Sequence, residues 1–186
     1  MITAACIASL KLTGMNWFDA ICHAFAALSL GGFSTYDASV GHFDSPAIEA
    51  VLIVFMLVAA MNFSRHFIAW QQKSLRTYRT DSEAIVMLWL LGVGILVVTT
   101  FIWLHGTYPE FATALRHVAF NLVAVATTCG YVTQDFGAWP IFAALVINLL
   151  SAAIAGVLVP LTLKRMRMDP ALAGGVILTT VTDVMG

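Results

Sequence analysis

Two short stretches of the sequence carry the same string of residues suited to holding a cation stripped of its water. Ser29-Leu30-Gly31-Gly32-Phe33-Ser34-Thr35-Tyr36-Asp37 and Thr127-Thr128-Cys129-Gly130-Tyr131-Val132-Thr133-Gln134-Asp135 lie 98 residues apart. Both read hydroxyl, two residues, glycine, aromatic, any residue, threonine, any residue, aspartate. A dehydrating cation needs replacement oxygens, and backbone carbonyls supply them. Presenting consecutive carbonyls to one axis requires backbone angles that glycine adopts without steric cost. The hydroxyls of Ser29 and Thr127 are placed to line the inner end of such a path. One copy alone would be an ordinary turn. Two copies with matching flanks make coincidence a poor account.

The elements around the two copies belong in a lipid solvent. Of the 186 residues 60% are hydrophobic and 10% charged, against about 45–50% and about 25% in soluble domains. Three stretches are long enough to span about 30 Å of hydrocarbon: Ala47–Trp70, Ala84–Leu104 and Trp139–Leu163. Arg65, Lys73, Arg76 and Arg79 follow the first, and Lys164, Arg165 and Arg167 follow the third. Basic clusters stay cytoplasmic, which puts Lys11–Pro46 and His105–Ala138 on the outer side. Within those outer segments, Asp19–Leu30 and Phe111–Thr128 are apolar, helix-compatible and too short or too polar to cross, as re-entrant segments are. The expected fold is an all-α membrane protein of helix, pore loop and helix repeats, with two re-entrant pore loops and further transmembrane helices. Residues 1–82 would hold a partial helix, a pore loop and an outer helix, and 83–142 a second helix and pore loop. Residues 143–186 would hold a transmembrane helix and a truncated one. Met1–Leu10 reads as the tail of a helix, so both ends look cut.

Other residues narrow the chemistry. The net charge of −1 gives a nucleic-acid partner no electrostatic support. Cys6, Cys22 and Cys129 are odd in number and widely spaced, so they read as small apolar fillers rather than ligands or disulfides. The five histidines show no ligand spacing, and His23 and His117 read as structural. No phosphate-binding loop, nucleophile elbow or paired carboxylates occur, so the chain is not expected to be an enzyme. Arg65 is expected to snorkel to the interface, with a gating contact as the alternative. Trp17, Trp70, Trp103 and Trp139 are expected in an aromatic belt. Asp37, Asp44, Glu110 and Asp135 give the outer face a mild acidity, from solvated loops or from a cation-concentrating mouth.

With these motifs in view, the chain resembles the Trk/Ktr/HKT potassium-transporter superfamily, in particular its bacterial Trk translocation subunits. The resemblance runs from about Gly14 to Phe142, through GMNWFDAICHAFAALSLGGFSTYDASVGHFDSPAIEAV and ATTCGYVTQDFGAWPIF. It implies four helix–loop–helix repeats around one pore, in a multi-pass protein of the bacterial inner membrane surrounded by lipid. It also implies K⁺ as the transported ion, a homodimer and a cytoplasmic nucleotide-binding regulator. Carried over residue by residue, the selectivity filter would be Ser29, Leu30, Gly31 and Gly32 with Thr127, Thr128, Cys129 and Gly130. Only two of four filter loops are present. The tail from Leu145 to Gly186 resembles instead the final helices of MgtE-type magnesium transporters, on LVPLTLKR, Asp169-Pro170 and Thr179-Thr180-Val181-Thr182-Asp183. That second resemblance implies Asp183 as a contact for hydrated Mg²⁺ and a seam near Phe142–Asn148. Three functions stay open: K⁺ uptake, a magnesium-transporter fragment, and a non-conducting membrane remnant or chimera.

Overall fold

The computed structural model describes residues 1–61, 63–74, 78, 82–134, 139–140 and 143. Among them are six α-helices and no strand: α1 (Ile2–Leu12), α2 (Trp17–Leu28), α3 (Pro46–Ala60), α4 (Phe63–Gln72), α5 (Ser82–Leu104) and α6 (Phe111–Ala126). A 3₁₀ turn at Ser39–Phe43 interrupts the connection from α2 to α3. The expected third span, Trp139–Leu163, lies almost wholly outside the described residues, as does Asp183.

Local sequence sets the helix ends. Asn16 caps α2 by accepting the Asp19 N–H at 2.8 Å while its own amide donates to the Asp19 carboxylate at 2.7 Å. This exchange closes the first turn from both sides. Pro46 occupies the first turn of α3, where a missing N–H costs nothing. Helix α5 contains a stretch, Ala84–Leu104, that is 21 residues long with mean hydropathy 2.6. By length and composition it can cross a membrane, as expected from the sequence.

One core joins α1, α2 and α3 to α6 and the turn that follows it. Cys6, Leu10, Ala20, Ala24, Ala27, Leu52, Met56, Phe120, Ala124 and Tyr131 are all buried in it. Alanines at 20, 24 and 27 keep one face of α2 thin, and small residues of this kind let helices approach closely without a water-driven force. Helix α5 packs along α6 through a second cluster that includes Met87, Leu91, Val98, Ile102, Val118 and Leu122. Trp139 belongs to that cluster and is buried, its indole N–H donating to the Tyr108 hydroxyl at 3.3 Å. It therefore departs from the expected aromatic belt, while Trp17, Trp70 and Trp103 are open.

The expected continuous span Ala47–Trp70 is two helices. The chain leaves helical geometry at Met61, where φ is −73° and ψ is 151°. The break occurs without proline or glycine, and a side chain accounts for it. Nε2 of His66 donates to the Val58 carbonyl at 2.8 Å, and Nδ1 accepts from the Tyr78 hydroxyl at 2.7 Å. The Val58 carbonyl also accepts the Met61 N–H at 3.2 Å, so that carbonyl, in the last turn of α3, is satisfied within the protein. Such pairing is what a low-dielectric surrounding demands. His66→Ala is expected to destabilise the protein by about 1–2 kcal/mol, the cost of losing the two hydrogen bonds its imidazole makes to Val58 and Tyr78,. Denaturation in mixed detergent would measure it, and an unchanged midpoint would show that His66 does not hold the break.

Candidate functional site

The two sequence repeats build the same turn. In the first, Ser29, Leu30 and Gly31 donate their N–H groups to the carbonyls of Phe25, Ala27 and Ala26 at 3.0, 3.3 and 2.9 Å. In the second, Thr127, Thr128 and Cys129 donate to Val123, Val125 and Ala124, each at 2.9 Å. Every donor and acceptor of one set lies 98 residues from its counterpart in the other. Both are Schellman closures, which take up the last carbonyls of a helix and turn the chain away.

The residue required to be left-handed in such a closure is commonly glycine. Here it is Leu30, with φ 54°, and Thr128, with φ 61°. A β-branched residue in that region is a genuine outlier, of the kind that gathers at functional sites. Gly32 and Gly130 follow two residues later with φ 63° and 81°. Both copies thus have positive φ at the second and fourth of the four residues. Because the N–H groups of the first three are consumed by the helix end, the turn has carbonyls to offer rather than donors. No hydrogen bond to the carbonyl oxygens of residues 29–32 or 127–130 occurs among the described residues. The C-termini of α2 and α6 add the negative end of their dipoles at the same place. The arrangement suits a cation and opposes an anion.

The two turns meet. A Cβ placed on Gly32 would lie 2.0 Å from the Cys129 carbonyl oxygen, so only glycine fits there, whereas at Gly130 nothing lies within 4 Å. Of the eight residues expected to form the filter, Ser29, Gly31, Thr128 and Gly130 are exposed, Leu30 and Gly32 half-buried, and Thr127 and Cys129 buried. The Thr127 hydroxyl is turned back to the Val123 carbonyl at 2.8 Å, and Ser29 Oγ donates to the Ala26 carbonyl at 3.3 Å. Of the two hydroxyls expected to line a path, only that of Ser29 is open.

Behind each turn, polar residues four apart on the preceding helix hold the return segment. In the first copy, the Asp19 carboxylate accepts from Thr35 at 2.7 Å and from Tyr36 at 3.1 Å. His23 Nδ1 donates to the Asp19 carbonyl at 2.8 Å, which leaves Nε2 to accept from Ser34 at 3.0 Å. In the second, His117 and Asn121 stand at the matching positions and meet Thr133. Asn121 brackets it, accepting the Thr133 N–H at 3.2 Å and donating to its hydroxyl at 3.3 Å. The threonine of the shared motif is therefore the anchor of the return segment. Asp135, the motif's last residue in the second copy, lies outside the described residues.

Further contacts fasten one repeat to the other. The Tyr131 hydroxyl reaches the carbonyls of His23 and Phe33, each at 3.2 Å, and its ring stacks on His23. Gly41 donates its N–H to Val132 at 3.1 Å, and the Val132 N–H reaches Ser39 Oγ at 3.3 Å. Arg116 of α6 forms a bidentate pair with Glu49 of α3 at 2.8 and 2.7 Å and also meets Asp44 at 2.8 Å. The sequence reading passed over Asp19, Arg116, Glu49 and the reach of Tyr131. Polar residues at one register of two otherwise apolar helices were the available signal.

Two outcomes follow from these contacts. Tyr131→Phe should cost about 1–2 kcal/mol for the lost hydroxyl, and Tyr131→Ala about 3–5 kcal/mol. Phe33→Ala, at the matching but 79% exposed position, should leave the thermal midpoint nearly unchanged. Burial raises the Asp19 carboxyl, but hydrogen bonds from Thr35, Tyr36 and Asn16 outweigh it and hold it below its ordinary 3.8. Its stabilising contribution is therefore present above that value and lost as pH falls through the lowered one. Asp19→Asn should flatten the acid limb of a stability-against-pH profile, and an unaltered limb would remove Asp19 as its source.

Comparison with known proteins agrees with the geometry. Residues 1–176 match the family model described as TrkH, cation transport protein. The chain is 44% identical over 156 residues to a Trk system potassium uptake protein TrkH of Halomonas elongata, covering 83% of this chain and 32% of that protein. The TrkH of Escherichia coli (strain K12) is 36% identical over 156 residues, with 84% and 32% covered. The chain thus spans about a third of the length of the curated relatives it matches. Among solved structures, the potassium transporter TrkH from Vibrio parahaemolyticus superposes with a TM-score of 0.79 at 32% identity, covering 89% of this chain and 38% of that one. The family match continues through Phe142–Asn148 to residue 176, so the seam expected there is withdrawn. With it go the MgtE-type tail and the Mg²⁺ role of Asp183, which the comparisons do not support.

Proposed function

The chain belongs to the TrkH family of cation transport proteins, and from that premise we propose that its two turns are two quadrants of a K⁺ selectivity filter in a bacterial inner-membrane uptake system. Ser29, Leu30, Gly31 and Gly32 supply carbonyls from one side and Thr127, Thr128, Cys129 and Gly130 from another. The observation that carries this reading is the duplicated closure. At both turns the N–H groups of the first three residues are spent on the helix end, φ alternates in sign, and the carbonyls have no donor among the described residues.

A filter that replaces an ion's hydration shell must hold its oxygens at fixed spacing. The polar anchors behind each turn and the contact between Gly32 and Cys129 support such rigidity. Two more quadrants complete the ring. Phe33 supports where one sits: it occupies the register of Tyr131, which is buried in the neighbouring repeat, yet is itself 79% exposed. In this reading Phe33 enters a further helix–turn–strand unit on the other side as Tyr131 enters this one. The exposed apolar side of α5, with Val86, Trp89, Val93 and Leu96, faces lipid. A homodimer and a cytoplasmic nucleotide-binding regulator belong to the same proposal. The transported ion is K⁺.

Ion flux into vesicles tests the filter. K⁺ should pass in preference to Na⁺, and Gly130→Ser should reduce that preference about tenfold, equal to about 1.4 kcal/mol, with normal membrane insertion. At Gly130 a Cβ meets nothing within 4 Å, so the cost of the serine is confined to its left-handed backbone, φ 81°, whereas a Cβ on Gly32 also meets the Cys129 carbonyl. Selectivity unaltered in a well-inserted Gly130→Ser variant would remove the filter assignment.

A further inference from the structure

The contact between Arg116 and Glu49 stands apart from the repeated architecture. Glu49 lies on the first turn of α3, which follows the first turn of the site; Arg116 lies on α6, which leads directly into the second. The guanidinium addresses both carboxylate oxygens, Nε to Oε2 at 2.8 Å and Nη2 to Oε1 at 2.7 Å. The Glu49 side chain is 3% exposed and that of Arg116 24%, while Asp44, the outer partner, is 80% exposed. The position 98 residues before Arg116 is Phe18, which is exposed. The pair is therefore not part of what is duplicated. It belongs to one junction, between these two units in this order.

A buried ion pair is a poor device for stability alone. Its desolvation cost offsets its attraction, and apolar residues of similar volume hold elements together as well or better. What the bidentate fork adds is geometry, since two parallel hydrogen bonds fix an angle as well as a distance. Helix α6 carries that constraint rigidly from Arg116 to Thr127, a rise of roughly 16 Å at about 1.5 Å per residue. Resting on the reading of the two turns as parts of a cation path, we propose that Arg116 and Glu49 are positioning residues that set the spacing between the carbonyls of the two turns, and so the discrimination between K⁺ and Na⁺.

The test uses the detergent-solubilised protein with all four quadrants of the ring present and reads two quantities: its thermal midpoint in choline chloride, and the ratio of NaCl to KCl concentrations that half-maximally raise that midpoint. Arg116→Lys keeps the charge and loses the fork, and the double variant Glu49→Leu with Arg116→Met replaces the pair by apolar contact. Both are expected to keep a midpoint near that of the unsubstituted chain while the ion ratio falls by about tenfold, as when partners behind an ion site are removed. A ratio that stays unchanged in Arg116→Lys overturns the proposal, and so does a ratio that only follows the midpoint across the variants. An unsubstituted chain that responds equally to K⁺ and Na⁺ overturns the filter reading itself, together with this inference. The two failures are thus told apart by which protein shows them.

Discussion

Backbone that leaves helical geometry away from water must find a partner for each N–H, and the carbonyls it leaves free are the ones a cation can use. Both turns meet that demand by the same route. The last carbonyls of α2 and α6 take up the N–H groups of the residues that follow, and the carbonyls of those residues are left over. The surplus of oxygen over donor is a product of how the helix is closed. Strain at Leu30 and Thr128 accompanies it, since neither is the residue that left-handed backbone favours,. Tertiary contacts hold the strain in place.

Those contacts form in layers. Alanines on α2 bring it close to its neighbours. Asp19 and His23 on α2, and His117 and Asn121 on α6, then tie back the return segments that each turn begins. Tyr131, Gly41 and Arg116 join the two units. Each buried polar group in this set has its partner, as a network of this kind requires if it is to rigidify rather than weaken. Membership of a family of cation transport proteins accords with the purpose proposed for the arrangement.

Much of this was written plainly in the sequence. The 98-residue repeat located both turns, and the short apolar segments before them became α2 and α6 within two residues of the expected ends. Ala84–Leu104 is helical throughout. The break between α3 and α4 was not legible, because no proline or glycine marks it. It depends on His66 folding back onto Val58 across eight residues and on Tyr78 beyond. The partnership of Arg116 with Glu49 spans 67 residues, so pattern within a window could not reach it. Trp139 was expected as an interfacial anchor from its place at a predicted membrane boundary, and its burial, with the indole donating to Tyr108, was not legible from that place. The magnesium-transporter likeness of the tail rested on short strings in an apolar setting, where many membrane helices look alike. The longer family match overrode it.

The break at Met61 has a mechanical consequence. Near its start, α3 is bolted to α6 through Glu49. Near its end, roughly 20 Å away at about 1.5 Å per residue, the rod is interrupted, and an imidazole hydrogen bond crosses the break. A beam clamped at one end and jointed at the other bends at the joint. With a bidentate ion pair at Glu49 and a helix break at Met61, bending of the α3–α4 rod is expected at the break rather than at the ion pair.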